Sequence, residues 1–287
     1  MQAIFKREFR SYFHTMTGPV LTAVLLAFTG IFFVAYNLIQ GYPYFSASLS
    51  SAAVVLLLVV PVLTMKSFAE ERKLRTDQLL LTAPVSVNQI VFGKYLSMLA
   101  VFAIPCVIML ICPFIIKIYG GTALLSDIIA VCEFFLLGAA YISIGMFISS
   151  LTESQVIAAV GTLAVLLLLQ LADGMSNIFP SSAFGSYVCF FVLIALAVLL
   201  IYHLTRNVYI ACGAGVAGIA ALTIAFFAKK SAFAGLFGSM VSSLSLVSRF
   251  QKITSQSFDL TTIIYFVSIA ALFVFLTVQS IQKRRWS

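Results

Sequence analysis

Apolar residues run along the chain in long blocks separated by short polar breaks. A helix needs about 20 mostly apolar residues to cross the hydrocarbon core of a bilayer. Any other unpaired backbone would leave its polar groups unsatisfied there. By that measure the candidate spans are residues 18–39, 47–65, 96–116, 128–148, 155–171, 187–201, 210–227 and 260–278. The sixth is short and the seventh is rich in glycine and alanine, so the two could dip in and out as a re-entrant pair. The pattern therefore predicts an all-α polytopic membrane protein of six to eight transmembrane helices in a single membrane domain, residues 1–287.

Three further segments are amphipathic. In residues 1–17, Phe5, Phe9, Tyr12, Phe13 and Met16 recur at helical spacing, with Lys6, Arg7 and Arg10 on the other side. This suits a helix lying in the interface with its basic face toward anionic headgroups. Residues 66–95 form the longest polar stretch between spans, and residues 228–259 carry enough apolar side chain to rest on the opposite membrane surface.

Composition agrees with this picture. Hydrophobic residues make up 62% of the 287 and charged residues 9%, and the mean hydropathy is +1.12. A soluble fold would need far more polar surface. The net charge of +8 does not point to nucleic acid, because the basic residues cluster at the ends of apolar blocks, where helix anchors belong. An even number of spans puts both termini on one side. The basic residues then divide twelve to five in favour of cytoplasmic termini. The first apolar block is longer than a signal-peptide core of about 7–15 residues and lacks a small-residue cleavage site, so it reads as a retained span.

The loop at 66–95 is the informative one. Its first half is predicted to be helical, with Glu71 four residues before Arg75 in the favourable order for an ion pair. Pro84 disfavours helix at Ala83 and is expected to end that helix. Ser86 with Gln89 three residues later forms a capping-box pattern that starts a second short helix at Val87. Val87, Ile90, Val91 and Tyr95 share one face of it, with Asn88 and Gln89 off that face. A capped helix joined to a span can transmit a push; the alternative is a loop resting on headgroups.

The run Phe68-Ala-Glu-Glu-Arg72, Thr76, residues 79–86, Ile90-Val91 and Gly93-Lys94 resembles the first cytoplasmic loop of type-2 ABC transporter permeases. Asp259, residues 264–268, Leu272-Phe273, residues 275–277 and Lys283-Arg-Arg-Trp286 resemble the last span and tail of that family, nearest the branch of the gliding-motility permeases. The resemblance covers residues 1 to about 171 and again from 250 onward. Members of that branch often have six spans, and they would carry a glycine or small residue where this chain has Arg75.

The resemblance implies a permease subunit of an ATP-driven exporter in a bacterial inner membrane, with its second cytoplasmic helix acting as a coupling helix. The chain has no phosphate-binding P-loop of its own, so it would bind no cofactor, and ATP and Mg would belong to a separate ATPase subunit, two copies of which are expected. Further partners would be a second permease copy or a different membrane subunit, and an auxiliary subunit with an extracytoplasmic domain. Contacts with the ATPase are assigned by resemblance to Thr82, Pro84, Val85, Ser86, Val87, Asn88, Gln89 and Ile90, with Glu70, Glu71 and Arg72 at the edge. A different reading is a mechanotransmitter that drives an extracytoplasmic partner while nothing crosses.

Other chemistry-bearing residues are sparse. Glu133 is the one acid inside a predicted span and is a candidate for a substrate path or gate; snorkelling or pairing with a polar helix neighbour such as Ser143 is the alternative. Pro105 and Pro113 in the third span can each kink it, and Pro105 is a candidate hinge. The five cysteines, His14 and His203 show no metal spacing. The glycine pattern at 213–218 copies a dinucleotide fingerprint but lies in an apolar block with no preceding strand, which favours helix packing. An intramembrane enzyme would need paired catalytic groups, and Glu133 has no second acid within a span.

Overall fold

The computed structural model describes residues 1–76, 85–119, 124–176, 182–205, 235–253 and 260–286, with isolated positions between 220 and 233. Among the described residues six helical segments are long and apolar enough to cross a membrane: Thr17–Ile39, Ser46–Lys73, Val87–Ile118, Leu124–Leu151, Gln155–Ala172 and Leu260–Lys283. Of the two short candidates, 187–201 falls on the helix Ala183–Thr205, which has 23 residues. The block at 210–227 and the glycine pattern within it lie almost wholly outside the described residues.

The elements, in order, are α1 (Gln2–His14), α2 (Thr17–Phe33, extended by a π-helical stretch Val34–Ile39), α3 (Ser46–Ala52), α4 (Leu56–Thr64) and α5 (Ala69–Lys73). There follow α6 (Val87–Met109), α7 (Ile111–Ile118), α8 (Leu124–Leu151), α9 (Gln155–Ser176) and α10 (Ala183–Thr205). The last three are α11 (Leu236–Leu244), α12 (Leu246–Ile253) and α13 (Leu260–Trp286). The chain divides into two compact units.

The first unit comprises Met1–Leu168 and Arg249–Ser287. At its centre is α8, against which α13, α6 and α4 pack. Small residues set how closely they approach. A Cβ at Gly138 would run into the Phe102 ring of α6, and one at Gly145 would run into Thr64 of α4. With hydrocarbon outside, helices associate by such close packing rather than by expelling water. The second unit, Leu169–Ser248, holds α10 and α11, joined by Phe190 edge-on to Phe237 at 5.1 Å.

Three details depart from the sequence reading. The predicted short helix at Val87 is not separate from the third span, because α6 runs unbroken from Val87 to Met109. Its break comes at Leu110, whose N–H reaches back three residues to Val107 O. Pro113 explains the position: it offers no N–H to Met109 O, and its ring crowds that carbonyl. The helix continues through Pro105. Secondly, α5 ends at Lys73, while the break expected at Pro84 lies outside the described residues. Thirdly, α12 does not merely lie on a surface: Phe250 is fully buried and meets Phe134 of α8 at 6.1 Å, while the Arg249 guanidinium lies 4.0 Å from the Tyr265 ring centre.

Candidate functional site: the junction at the end that carries both termini

The segment 85–95 begins as the spacing requires. Ser86 is in an extended conformation, and its hydroxyl accepts from Gln89 N–H at 3.4 Å, occupying one of the open donors of the first turn. Val87, Ile90, Val91 and Tyr95 are buried, whereas Ser86, Asn88 and Gln89 are exposed and Val85 is half-buried. The tip of α6 thus shows a polar face outward over an apolar anchor. Thr82 and Pro84 lie outside the described residues.

The α5 turn ends in a Schellman motif. Thr76 N–H donates to Glu71 O at 2.9 Å and Arg75 N–H to Arg72 O at 3.0 Å. The motif puts Arg75 in the left-handed region, φ 55°. That is the conformation for which a glycine is suited, so the departure at Arg75 falls on the one residue of the turn where a side chain is strained. The start of α5 is tied to α8: Ser149 Oγ accepts from Phe68 N–H and Ala69 N–H, both at 3.2 Å, and donates to Met65 O.

A charged network joins three elements at this junction. Lys94 Nζ stands 2.9 Å from Glu71 Oε1 and 3.4 Å from Glu8 Oε1, and donates to Ser67 O at 2.7 Å. It also lies 5.0 Å from the Phe68 ring centre. Arg7 Nη2 pairs with Glu8 at 2.7 Å and with Glu71 at 3.1 Å. The hydrogen bond from Arg7 to Glu8 is the main reason that the guanidinium pKa is raised, with the Glu71 charge adding to it. Glu71 therefore reaches across to α1 and α6, not to Arg75 as its spacing predicted. Lys94 is buried, 2% exposed, while Arg7 is 57% exposed.

The amphipathic helix α1 is docked rather than merely resting on headgroups. Gly93 is its seat, since a Cβ there would press on Ile4 Cγ2 at 3.1 Å. Tyr12 is buried and donates to Leu63 O at 3.0 Å. Burial raises the Tyr12 phenol well above its ordinary pKa, with the charges of Glu8, Glu70 and Glu71 acting in the same direction. Phe5, Phe9 and Phe13 form a row along α1, the first pair stacked at 5.9 Å and the second tilted at 5.0 Å between ring centres. Glu8 and Lys94 are the side chains of this junction to which the sequence reading assigned no role. The signal for Glu8 was its place between Ile4 and Tyr12 at four-residue steps.

The network encloses a polar cleft of about 380 Å³ between α1 and α5, lined by Glu70, Glu71, Lys66, Thr76 and Lys94 among others. Arg72, by contrast, is buried. Among the residues assigned to the gate, Glu133 is 1% exposed and Pro105 is buried, and neither lines this cleft. Ser143 donates within its own helix, to Ala140 O. At the far end of the unit, Asp127 is buried and accepts from Phe45 N–H at 2.8 Å, placing a carboxylate at the N-terminus of α3.

The six candidate spans among the described residues, the third of which begins as one capped helix at Val87, define a multi-pass membrane protein. The family model described as "ABC-2 family transporter protein" matches residues 13–180, more than half of the chain, and the protein belongs to that family. It is accordingly a membrane component of an ABC transporter, a family of membrane subunits that are not themselves catalytic and work with an ATPase partner. The match is to the family as a whole and does not single out the gliding-motility branch. Neither the curated proteins nor the solved structures gave a match.

Proposed function

We propose that this protein is the permease subunit of an ATP-driven exporter of a bacterial inner membrane, with both termini in the cytosol. Residues 82–90 act as the coupling segment gripped by a separate ATPase subunit, which binds ATP and Mg. Two ATPase copies serve either two permease copies or this chain with a different membrane subunit. The observation that carries this reading is the unbroken course of α6 from the exposed Asn88 and Gln89 to Met109. A displacement at its tip is delivered some 30 Å into the membrane, at about 1.5 Å per residue. The Lys94 network and Gly93 make α1 and α5 move with that tip. To be useful the ATPase must favour one state by a few kcal/mol, since about 5.5 kcal/mol takes a two-state equilibrium from 1:99 to 99:1.

The test is a cysteine at Gln89 in membranes containing the intact complex. A short bifunctional crosslinker is expected to join it to a protein that binds ATP, and Gln89→Cys alone should keep normal assembly. If Gln89→Cys joins only lipid while the complex is demonstrably assembled, the coupling role is wrong. In that event the family membership and the membrane architecture stand.

A further inference from the structure

The second span does not run straight into α5. Helix α4 ends at Thr64 and α5 begins at Ala69, and the turn between them leaves backbone groups outside the bonding of either helix. Side chains of three other helices reach these groups. Tyr12 of α1 donates to Leu63 O at 3.0 Å, and Lys94 of α6 donates to Ser67 O at 2.7 Å. Ser149 of α8 accepts from Phe68 N–H and Ala69 N–H and donates to Met65 O at 3.3 Å. A helix ordinarily begins on a Ser, Thr, Asp or Asn whose oxygen closes the first open N–H groups. In α5 that position is held by Phe68, which has no side-chain acceptor. The hydroxyl that closes the turn comes instead from 80 residues further along the chain.

Ser149 differs from the other buried serines of α8. Ser143 and Ser150 are as fully buried, and each donates within its own helix, to Ala140 O and to Phe147 O. Ser149 directs the one donor and both acceptor positions of its hydroxyl at residues 65–69. One turn deeper, Gly145 admits Thr64 to the same helix, since a Cβ there would run into it. Helix α8 thus holds the end of the second span at two successive turns. Beyond Ser149, α5 is tied to α6 through Glu71 and Lys94 at 2.9 Å. A helix of five residues is not stable alone, so these ties set its place. It bridges the base of α6 and the end of α8 that carries Ser149.

We propose that Ser149 is a positioning residue of the coupling machinery, making α8 a direct receiver, through α5, of motion that enters at the tip of α6. Motion applied at Asn88 and Gln89 reaches Lys94, passes through Glu71 into α5, and is delivered by Ser149 to the central helix. Helix α8 is then moved from its end as well as through the contacts along α6. The role rests on the coupling reading above. Ser149 is fully buried and acts only through α5.

The experiment is amide hydrogen exchange on the full chain in lipid nanodiscs, alone and in complex with its ATPase, with and without ATP and Mg. In the chain alone, Ser149→Ala should speed exchange across residues 68–73 about tenfold, the effect of losing about one buried hydrogen bond. Ser149→Thr keeps the hydroxyl and should restore slow exchange. Ser150→Ala, at an equally buried position, should leave the segment unchanged. Equal acceleration by Ser149→Ala and Ser150→Ala would overturn the tie in favour of general packing. In the complex, ATP should alter exchange at 68–73 and 143–151 together. Ser149→Ala should remove the response at 143–151 and leave that at 87–95. A response at 143–151 that survives Ser149→Ala would overturn the positioning role, because α8 would then be driven through α6 alone. No response at 87–95 in the unaltered chain would end the coupling reading and this role with it, while exchange in the chain alone would still decide whether Ser149 holds the turn. If Ser149→Ala does not assemble, Ser149→Cys, a weaker hydrogen-bonding group, takes its place in each comparison.

Discussion

Lys94 is the residue whose removal discriminates most sharply between a fixed junction and an ornamental surface cluster. Lys94→Met keeps the length of the stem and removes the charge. It takes away contacts to Glu71 at 2.9 Å, to Glu8 at 3.4 Å and to Ser67 O at 2.7 Å from a site that is 2% exposed. Deleting one partner of a buried pair costs about 3–5 kcal/mol, because the other charge is left behind. Here Arg7 remains on both carboxylates, which are 16% exposed, so the lower end, about 3 kcal/mol, is expected. Arg7→Ala removes pairs held by a side chain that is 57% exposed, and exposed pairs contribute about 0–1 kcal/mol. Thermal unfolding of the purified protein should therefore drop by about 6–12 °C for Lys94→Met and by no more than about 4 °C for Arg7→Ala, at about 2–4 °C per kcal/mol. A cycle with Glu71→Gln should give a coupling of about 1.5 kcal/mol or more. Equal effects of Lys94→Met and Arg7→Ala, or a coupling under about 0.5 kcal/mol, would refute the claim that Lys94 binds the junction together.

Arg75→Gly should stabilise the α5 turn by about 0.5–1 kcal/mol, because it relieves a side chain at φ 55°; slower amide exchange at Leu74, Arg75 and Thr76 is the readout, and faster exchange would count against the motif. Tyr12 has a folded pKa raised above the ordinary 10.0, so its contribution to stability is complete below pH 10 and declines as pH rises beyond it, since only the unfolded phenol then ionises. Tyr12→Phe should lose about 1 kcal/mol near neutrality, from the bond to Leu63 O, and should show a shallower fall between pH 10 and 11; an unchanged slope would show that other groups govern that limb. Asp127→Ala removes the carboxylate at the start of α3 and should cost about 1–2 kcal/mol, with Asp127→Asn recovering part of it; the assay is the same unfolding measurement, and a neutral Asp127→Ala would remove this cap from the account.

The spans were legible because lipid imposes one rule, a helix of about 20 apolar residues, and the blocks at 18–39, 47–65 and 128–148 obey it without ambiguity. Ser86 and the buried face Val87, Ile90, Val91 and Tyr95 were legible for a similar reason: cap and periodicity are local. The continuity of α6 was not. Gly93 weakens a helix when taken alone, and only the packing of Ile4 against it shows that the glycine serves a close approach instead. Glu71 likewise looked satisfied by Arg75 at helical spacing. Its partners come from 64 residues before it and 23 after it in the chain, and no local rule announces them. The turn that ends α5 was not legible, because a Schellman turn through an arginine carries no visible breaker.

These placements bear on where motion can occur. A lever needs a stiff arm and a compliant joint, and the two should be set by different residues. In α6 the stiff arm is Val87–Met109, held at its base by Lys94 and by α1 on Gly93. The joint is Leu110, where Pro113 denies Met109 O its helical donor. Pro105 sits within the arm, its helix continuous on both sides. Along the arm, Tyr95 donates to Ala139 O and Phe102 rests on Gly138, so two positions of α6 below the joint engage the same point of α8. On the proposed coupling reading a push at the tip would be shared with the central helix of the bundle before it reaches Leu110. On the same reading, rearrangement driven from the tip would fall at the Leu110 break, since Pro105 lies inside the continuous arm.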